Sequence, residues 1–357
     1  PVASRRYSRI IIYAEVAPIE LHNVRAVSLI VAGLALLLSA CGPTKHPELA
    51  LRGTAMGTTY NVTIVDAQTI AADPPDVAAL LENLNRHFST DAADSALSNF
   101  NRHQSTEWFT TTSELCNVLA DAQFVSEQTL GSFDVTIGSL VNLWGFGPGE
   151  IKLEPPTDSS ILAARENTGY AKLHTCCDEK MIRKDHENLY VDLSGYAKGI
   201  AVDAVASQLA EHGYANFLVE LGGEISVRGL NARGQAWRIA IERPDGEERL
   251  LDAAISISDS SLATSGDYRN FFEFAGHRYS HTIDPRTARP IIHNTASVTV
   301  ITNSAARADA LATALLVMGH EDGFRFAAEN SIAAYFLVRG ENGFDGIATP
   351  KFEPYFE

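Results

Sequence analysis

Asp309 and Thr313 stand four residues apart in "ADALATALLVMG" (308–319), a stretch otherwise built from Ala, Leu, Val, Met and Gly. A spacing of i, i+4 places a carboxylate and a hydroxyl on one helix face. Two chemistries suit that pair. A carboxylate near a helix start complements the helix dipole. A carboxylate and a hydroxyl with no His or Cys beside them also offer hard oxygen ligands, which suit Mg2+ or Ca2+ more than zinc. Two ligands do not fill a coordination shell, so Mg2+ held here would complete it with water and substrate phosphates.

Four other stretches carry polar residues between apolar runs. "GSFDVTIGSLVNLWGFGP" (131–148) combines Phe133, Asp134, Asn142 and Trp144 with several glycines. It reads as a Gly-rich turn around a core Trp, or as backbone that a flat ring approaches closely. "VDLSGYAKGIAVD" (191–203) sets Asp192 at a strand end, Ser194 at an N-cap and Lys198 in the first helical turns. That is an ordinary capped helix with a solvent Lys, or a phosphate corner made of free N–H groups and a cation. "LVELGGEI" (218–225) places two glycines between Glu220 and Glu224, as a bulge or a close backbone approach would require. In "ATSGDYRNFFEFAGHRYSHTIDPRTARPI" (263–291), His281 precedes Asp284 by three residues. The pair is either structural or an acid/base with its orienting carboxylate.

The elements that must position these residues follow from periodicity. Strands are predicted at 60–65, 188–193, 216–229 with a break at Gly222-Gly223, 237–244, 252–258, 296–302 and 331–339. Helices are predicted at 76–89, at 114–129 and from Ser194 to a stop at Gly213. Hairpin-like pairs recur among the helices, which points to a mixed α+β fold rather than a doubly wound parallel sheet. The 357 residues carry a net charge of −16, which argues against a nucleic-acid partner. A phosphorylated small molecule remains compatible, provided that a cation, helix N-termini or a few basic side chains screen it locally.

Four cysteines are too few for a disulfide scaffold, and none has zinc-ligand spacing. The apolar run "AVSLIVAGLALLLSA" (26–40) lies between Arg25 and Cys41. It resembles a bacterial lipoprotein signal, an uncleaved anchor being the alternative. Residues 1–40 then form the signal, 41–50 a tether and 51–357 the folded body. Lipid on Cys41 would hold that body on the membrane, facing the periplasm of a bacterial cell envelope. If Cys176 or Cys177 pairs, the other thiol in the body is Cys116. Both are expected to be structural or incidental.

Eight ordered motifs carry a family resemblance: "GTAMGTTY", "FSTDAADSALSNFN", "GSFDVTIGSLVNLWGFGP", "VDLSGYAKGIAVD", "VELGGEI", "ATSGDYRNFFEF", "YSHTIDPRTARP" and "ADALATAL". Across residues 51 to 345 the chain resembles the ApbE family, the FAD:protein FMN transferases. The resemblance implies a mixed α+β body of the T-fold type. It implies binding of FAD with Mg2+ and transfer of FMN to a Thr or Ser hydroxyl of an acceptor flavoprotein, with AMP leaving. Matching residues would be Met56, Ser132, Phe133, Asp134, Asp192, Lys198 and Ile283 for FAD. Asp309, Thr313 and the Gly195 carbonyl would hold Mg2+. His281 would accept a proton, with Asp284 orienting it. Asp91 stands where the family motif usually carries an aromatic, so a stacking partner for FAD is missing or supplied elsewhere. Two rival functions share these features: an FAD pyrophosphatase that gives FMN and AMP, and a non-enzymatic flavin-binding lipoprotein.

Overall fold

A computed structural model describes residues 45–357 apart from Ala72, 149–151, 245–250, Arg269 and Asn342. The predicted signal segment and Cys41 therefore lie outside the described residues. Eight strands form one antiparallel sheet: β1 (Glu48–Ala55), β2 (Thr58–Val65), β3 (Phe217–Leu221), β4 (Glu224–Arg228), β5 (Ser260–Gly266), β6 (Thr295–Thr302), β7 (Ala333–Gly340) and β8 (Gly343–Ala348). Their order in space is their order in the chain. The chain leaves the sheet between neighbours, and each excursion supplies something that the sheet needs.

Four long helices are labelled α1 (Val77–Phe88), α2 (Ser113–Gln128), α3 (Ala197–Glu211) and α4 (Ala305–Glu329). The first three belong to residues 66–216, inserted between β2 and β3, and α4 joins β6 to β7. Asp76 and Thr112 start α1 and α2 by accepting the N–H groups of Ala79 and Leu115. Gly319, with φ of 79°, breaks α4 into two helical pieces.

Strand alternation sorts the two faces of the sheet. Tyr60, Val62, Ile64, Phe217, Val219 and Leu221 face the helices and share one core with them. Leu218, Ile225, Val227 and Leu262 face the other way. A hairpin of Trp237–Glu242 and Leu251–Ile257 covers them with Ile239, Ile241 and Ile255. A smaller cluster, with Leu140, Trp144, Phe272 and Ile283, ties the insertion to the hairpin Phe271–Phe274/His277–Ser280. This is the mixed arrangement of helices and antiparallel strands that the periodicity predicts.

The strand predicted at 188–193 does not form; it is reduced to one parallel bridge between Ile137 and Tyr190. Side chains replace the missing ladder. Asn101 donates its amide to the Val191 carbonyl at 2.8 Å and accepts the Val191 N–H at 2.8 Å. Lys184, fully buried, donates to the carbonyls of Leu189, Asn101 and Phe100 at 3.2, 3.3 and 3.4 Å. Burial pulls its ammonium down to about 8. The segment is thus fixed as a loop with its backbone satisfied.

Cys116 of α2 is bonded to Cys177, 61 residues on, while Cys176 remains free and half-buried. The bond fastens the small sheet of Phe109–Thr110, Leu173–Cys176 and Met181–Lys184 against the insertion's helices. Closing a loop of this length restricts the unfolded chain and contributes about 2–4 kcal/mol. Replacing both Cys116 and Cys177 with Ser is expected to lower Tm by several degrees, while Cys176→Ser leaves it unchanged; thermal unfolding followed by circular dichroism checks both.

Candidate active site

Helix α4 begins at Ala305 and is capped by Ser304, whose hydroxyl accepts the Arg307 N–H. Asp203 of α3 accepts the N–H groups of Ala305 and Ala306 at 2.7 and 3.0 Å. The helix start is therefore satisfied without Asp309, which lies a turn further in and is only 3% exposed. The helix-dipole account of Asp309 fails on this geometry. Its nearest backbone donor is the Gly199 N–H, 3.4 Å from Oδ2.

Gly199 makes this approach possible. A Cβ there would stand 2.5 Å from the Ala305 carbonyl oxygen, so the first turns of α3 and α4 cross at a distance that only glycine allows. The same crossing brings Gly195 beside Thr313: a Cβ on Gly195 would lie 3.1 Å from the Thr313 hydroxyl. Ser265 of β5 stands 3.0 Å from that hydroxyl on its other side. Asp309 and Thr313, paired by their spacing, and Gly195, which the family resemblance adds, thus converge.

Lys198 pairs with Glu224 of β4, whose side chain is 4% exposed. Burial raises the Asp309 carboxyl well above the carboxylate range; Lys198 opposes the shift and Glu224 adds to it. Among the described residues, no three His, Cys, Asp or Glu side chains gather into a closed metal cage. The donor set is mixed instead: carboxylate, hydroxyl and backbone carbonyl. One oxygen of Glu224, Oε2, is buried without a hydrogen-bond partner. Oxygen donors beside a buried carboxylate oxygen that no donor reaches fit a hard divalent cation whose shell a ligand completes.

The remaining site candidates fall into three groups. Met56 lies in the two-residue turn joining β1 to β2, with φ of 48° ahead of Gly57 at 73°. A second turn, Gly222-Gly223, meets it at the same sheet end. A Cβ on Gly222 would touch Thr58 at 2.8 Å and Lys198 at 3.4 Å. Met56, Lys198 and both turns therefore share one rim.

Ser132, Phe133 and Asp134 are buried at 2, 4 and 6% exposure. The Asp134 carboxylate accepts the N–H and hydroxyl of Thr136, each at 2.7 Å, and the Tyr170 N–H at 2.9 Å. Burial raises its carboxyl. Phe133 packs on Tyr196, the residue after Gly195, with ring centroids 5.8 Å apart. The triplet therefore braces the loop behind Gly195. Asp192 runs alongside it, donating its N–H to the Val135 carbonyl at 2.7 Å. Ser194 is not the N-cap of α3: its hydroxyl donates to Asp192, and the helix begins at Ala197 without a side-chain cap. Asp91, in place of the aromatic, is exposed and donates its N–H to the Ser89 hydroxyl.

His281 and Asp284 do not form the expected pair. Asp284 accepts the Arg286 backbone N–H and, with both oxygens, its guanidinium at 2.9 and 3.0 Å. The "DPRT" turn thus engages the carboxylate locally. His281 directs Nδ1 at the Asn270 carbonyl, 3.0 Å away, and sits edge-on to Phe146. Asn270, not Asp284, orients the ring. Ile283 is 2% exposed in the small cluster beneath. Sequence reasoning did not single out Asp203, Gly199 or Ser265, although each lies within a motif already noted.

An eight-stranded antiparallel sheet and two helices that cross at Gly199, with Asp309, Thr313 and Gly195 gathered at the crossing, define a mixed α/β protein. Comparison with known proteins gives its family. The ApbE family model matches residues 56–336. The chain is 44% identical over 326 residues to the FAD:protein FMN transferase of Vibrio cholerae, covering 90% of this chain and 97% of that protein. The Haemophilus influenzae protein of the same name is 38% identical, covering 92% and 97%. The structure of the flavin transferase ApbE from Vibrio cholerae superposes with a TM-score of 0.80 at 42% identity, over 87% of this chain and all of that one. The chain belongs to the ApbE family.

Glu220 provides a test of the electrostatics at this sheet end. Burial, reinforced by Glu224, raises its carboxyl from 4.5 to about 7, against a hydrogen bond from Gly223. The folded state then binds more protons than the unfolded state between those values, so Glu220 lowers stability as pH rises through that window. Glu220→Gln is expected to unfold at a Tm close to wild type at pH 5 and above wild type at pH 8, measured by thermal melts at both pH values.

Proposed function

We propose that this protein transfers the FMN half of FAD to a Thr or Ser hydroxyl of an acceptor flavoprotein in a Mg2+-dependent reaction that releases AMP. The observation that carries this reading is the convergence of buried Asp309, Thr313 and Gly195 beside Lys198, in a chain whose relatives are named for that transfer. The acceptor oxygen attacks the phosphorus on the FMN side, and the bond to the AMP oxygen breaks. Asp309, Thr313 and the Gly195 carbonyl would hold Mg2+, which neutralises negative charge on the pyrophosphate oxygens. Lys198 offers a positive charge to the same phosphates. His281 takes the acceptor's hydroxyl proton on Nε2, since Nδ1 faces the Asn270 carbonyl. Met56 and Asp192 contribute to the flavin-nucleotide site from its rim, with Ser132, Phe133, Asp134 and Ile283 supporting it from beneath.

Mass spectrometry of an acceptor domain incubated with this protein, FAD and Mg2+ tests the reading. FMN attached to a Thr or Ser, with stoichiometric AMP, is expected. Fast AMP release with an unmodified acceptor would show a pyrophosphatase, and FAD binding without turnover would show a flavin carrier. Asp309→Ala is expected to lose at least a hundred-fold in transfer rate while remaining folded; full activity at saturating Mg2+ would remove Asp309 from the metal site.

We also propose that residues 26–41 direct export and lipid attachment at Cys41, on the basis of the apolar run ending in "LSAC". The oxidised Cys116–Cys177 pair supports an oxidising compartment. Cys41→Ser is expected to move the protein from the membrane fraction to the soluble fraction with its transfer activity in vitro intact. Retention on membranes after a high-salt wash would favour an uncleaved anchor.

A further inference from the structure

Glu224 begins β4 directly after the Gly222-Gly223 turn. Its strand neighbours Ile225 and Val227 alternate, and both join the core on the hairpin side. Glu224 is 3% exposed. Oε1 accepts from the Lys198 ammonium, whereas Oε2 is buried with no hydrogen-bond partner. Glu224 and Asp309 act on one another electrostatically, and Lys198 acts on both. Lys198 directly precedes Gly199, whose N–H approaches Asp309, so the Lys198–Glu224 pair adjoins a second buried carboxylate. A buried carboxylate oxygen without a donor is a cost that a fold keeps for a partner.

We infer that Glu224 is a further carboxylate ligand of the divalent-cation site, held by Lys198 until the cation arrives. The inference rests on the reading of Asp309 and Thr313 as ligands to that cation. A divalent ion compensates the second carboxylate, which a single Lys cannot do. Its arrival releases the Lys198 ammonium from Glu224. Lys198 is 30% exposed at the rim, so its charge, no longer spent on Glu224, faces an incoming anionic phosphate. Cation binding and phosphate recognition are then coupled through the exchange of one ion pair. A Glu-to-metal contact replaces a Glu-to-Lys contact, and a Lys-to-phosphate contact becomes available.

The test is Mn2+ binding to the full chain without FAD, read from the electron paramagnetic resonance signal of free Mn2+. Four variants are compared with wild type: Glu224→Gln, Glu224→Asp, Asp309→Asn and Lys198→Met. Glu224→Gln is expected to weaken Mn2+ affinity at least ten-fold, Glu224→Asp to stay within a few-fold of wild type, and Lys198→Met to bind more tightly. Wild-type affinity in Glu224→Gln, with binding lost in Asp309→Asn, would make Glu224 only a counter-ion of Lys198 and overturn the inference alone. Wild-type affinity in Asp309→Asn, or no Mn2+ uptake by wild type at millimolar concentration, would overturn the site on which the inference rests. If Glu224→Gln does not fold, as judged by near-ultraviolet circular dichroism, Lys198→Met decides: an affinity no tighter than wild type would also overturn the exchange.

Discussion

The distance between α3 and α4 is the constraint on which the rest of the site depends. Gly199 lets the two helices cross almost backbone to backbone, where any β-carbon would press into the Ala305 carbonyl. Because of that crossing, Asp203 can reach the first N–H groups of α4, and the Gly199 N–H can reach Asp309. Gly195, four residues before, then falls beside Thr313. One residue without a side chain thus sets the spacing between Gly195 on one helix approach and the Asp309 and Thr313 side chains on the other. Close packing makes such a distance discrete: the helices fit at this separation or at one larger by a methyl group.

The sheet contributes the opposite property, an end where regular pairing stops. The β1–β2 and β3–β4 turns both run through positive φ, at Met56-Gly57 and Gly222-Gly223. Their strands deliver Glu224 and Thr58 to the same rim as Lys198. Apolar alternation continues to within a residue of these turns, so the charged groups are held by a core that begins immediately below them. The hairpin carrying His281 is attached separately, through stacking of Trp144 on Tyr279 and the Trp144 indole bond to the Ala288 carbonyl at 3.1 Å. His281 and the crossing that carries Asp309 therefore sit on different supports.

Much of this was legible in the sequence because it rests on period and local chemistry. Alternation located β2, β6 and β7, and the i, i+4 spacing of Asp309 and Thr313 located the helix face that meets Gly195 and Gly199. The differences have one cause: a local pattern was completed by another partner, remote in sequence or nearer along the turn. Residues 188–193 have a strand's composition, but Asn101 and Lys184 take the hydrogen bonds that a neighbouring strand would have taken. His281 and Asp284 have the spacing of a catalytic pair, but Arg286 lies closer along the turn. Asp309 has the composition of a helix-start carboxylate, but Ser304 and Asp203 take the free N–H groups there. Glu224 shows nothing in sequence beyond its place after two glycines, because its partner Lys198 is on another element.

The insertion between β2 and β3 has a kinetic consequence. These strands are hydrogen-bonded neighbours, yet residues 66–216 intervene, and Gly199 and Asp309 meet across 110 residues. Each of those contacts requires a long segment to be closed before it returns any stabilisation, which places them late in folding. Local units such as the β1–β2 hairpin and the insertion's helices can form first, but none of them holds a complete set of oxygen donors. The crossing of α3 and α4 is therefore made only when the insertion has docked on α4 and the sheet. That order of assembly leaves Gly195, Thr313 and Asp309 apart until the molecule around them is finished.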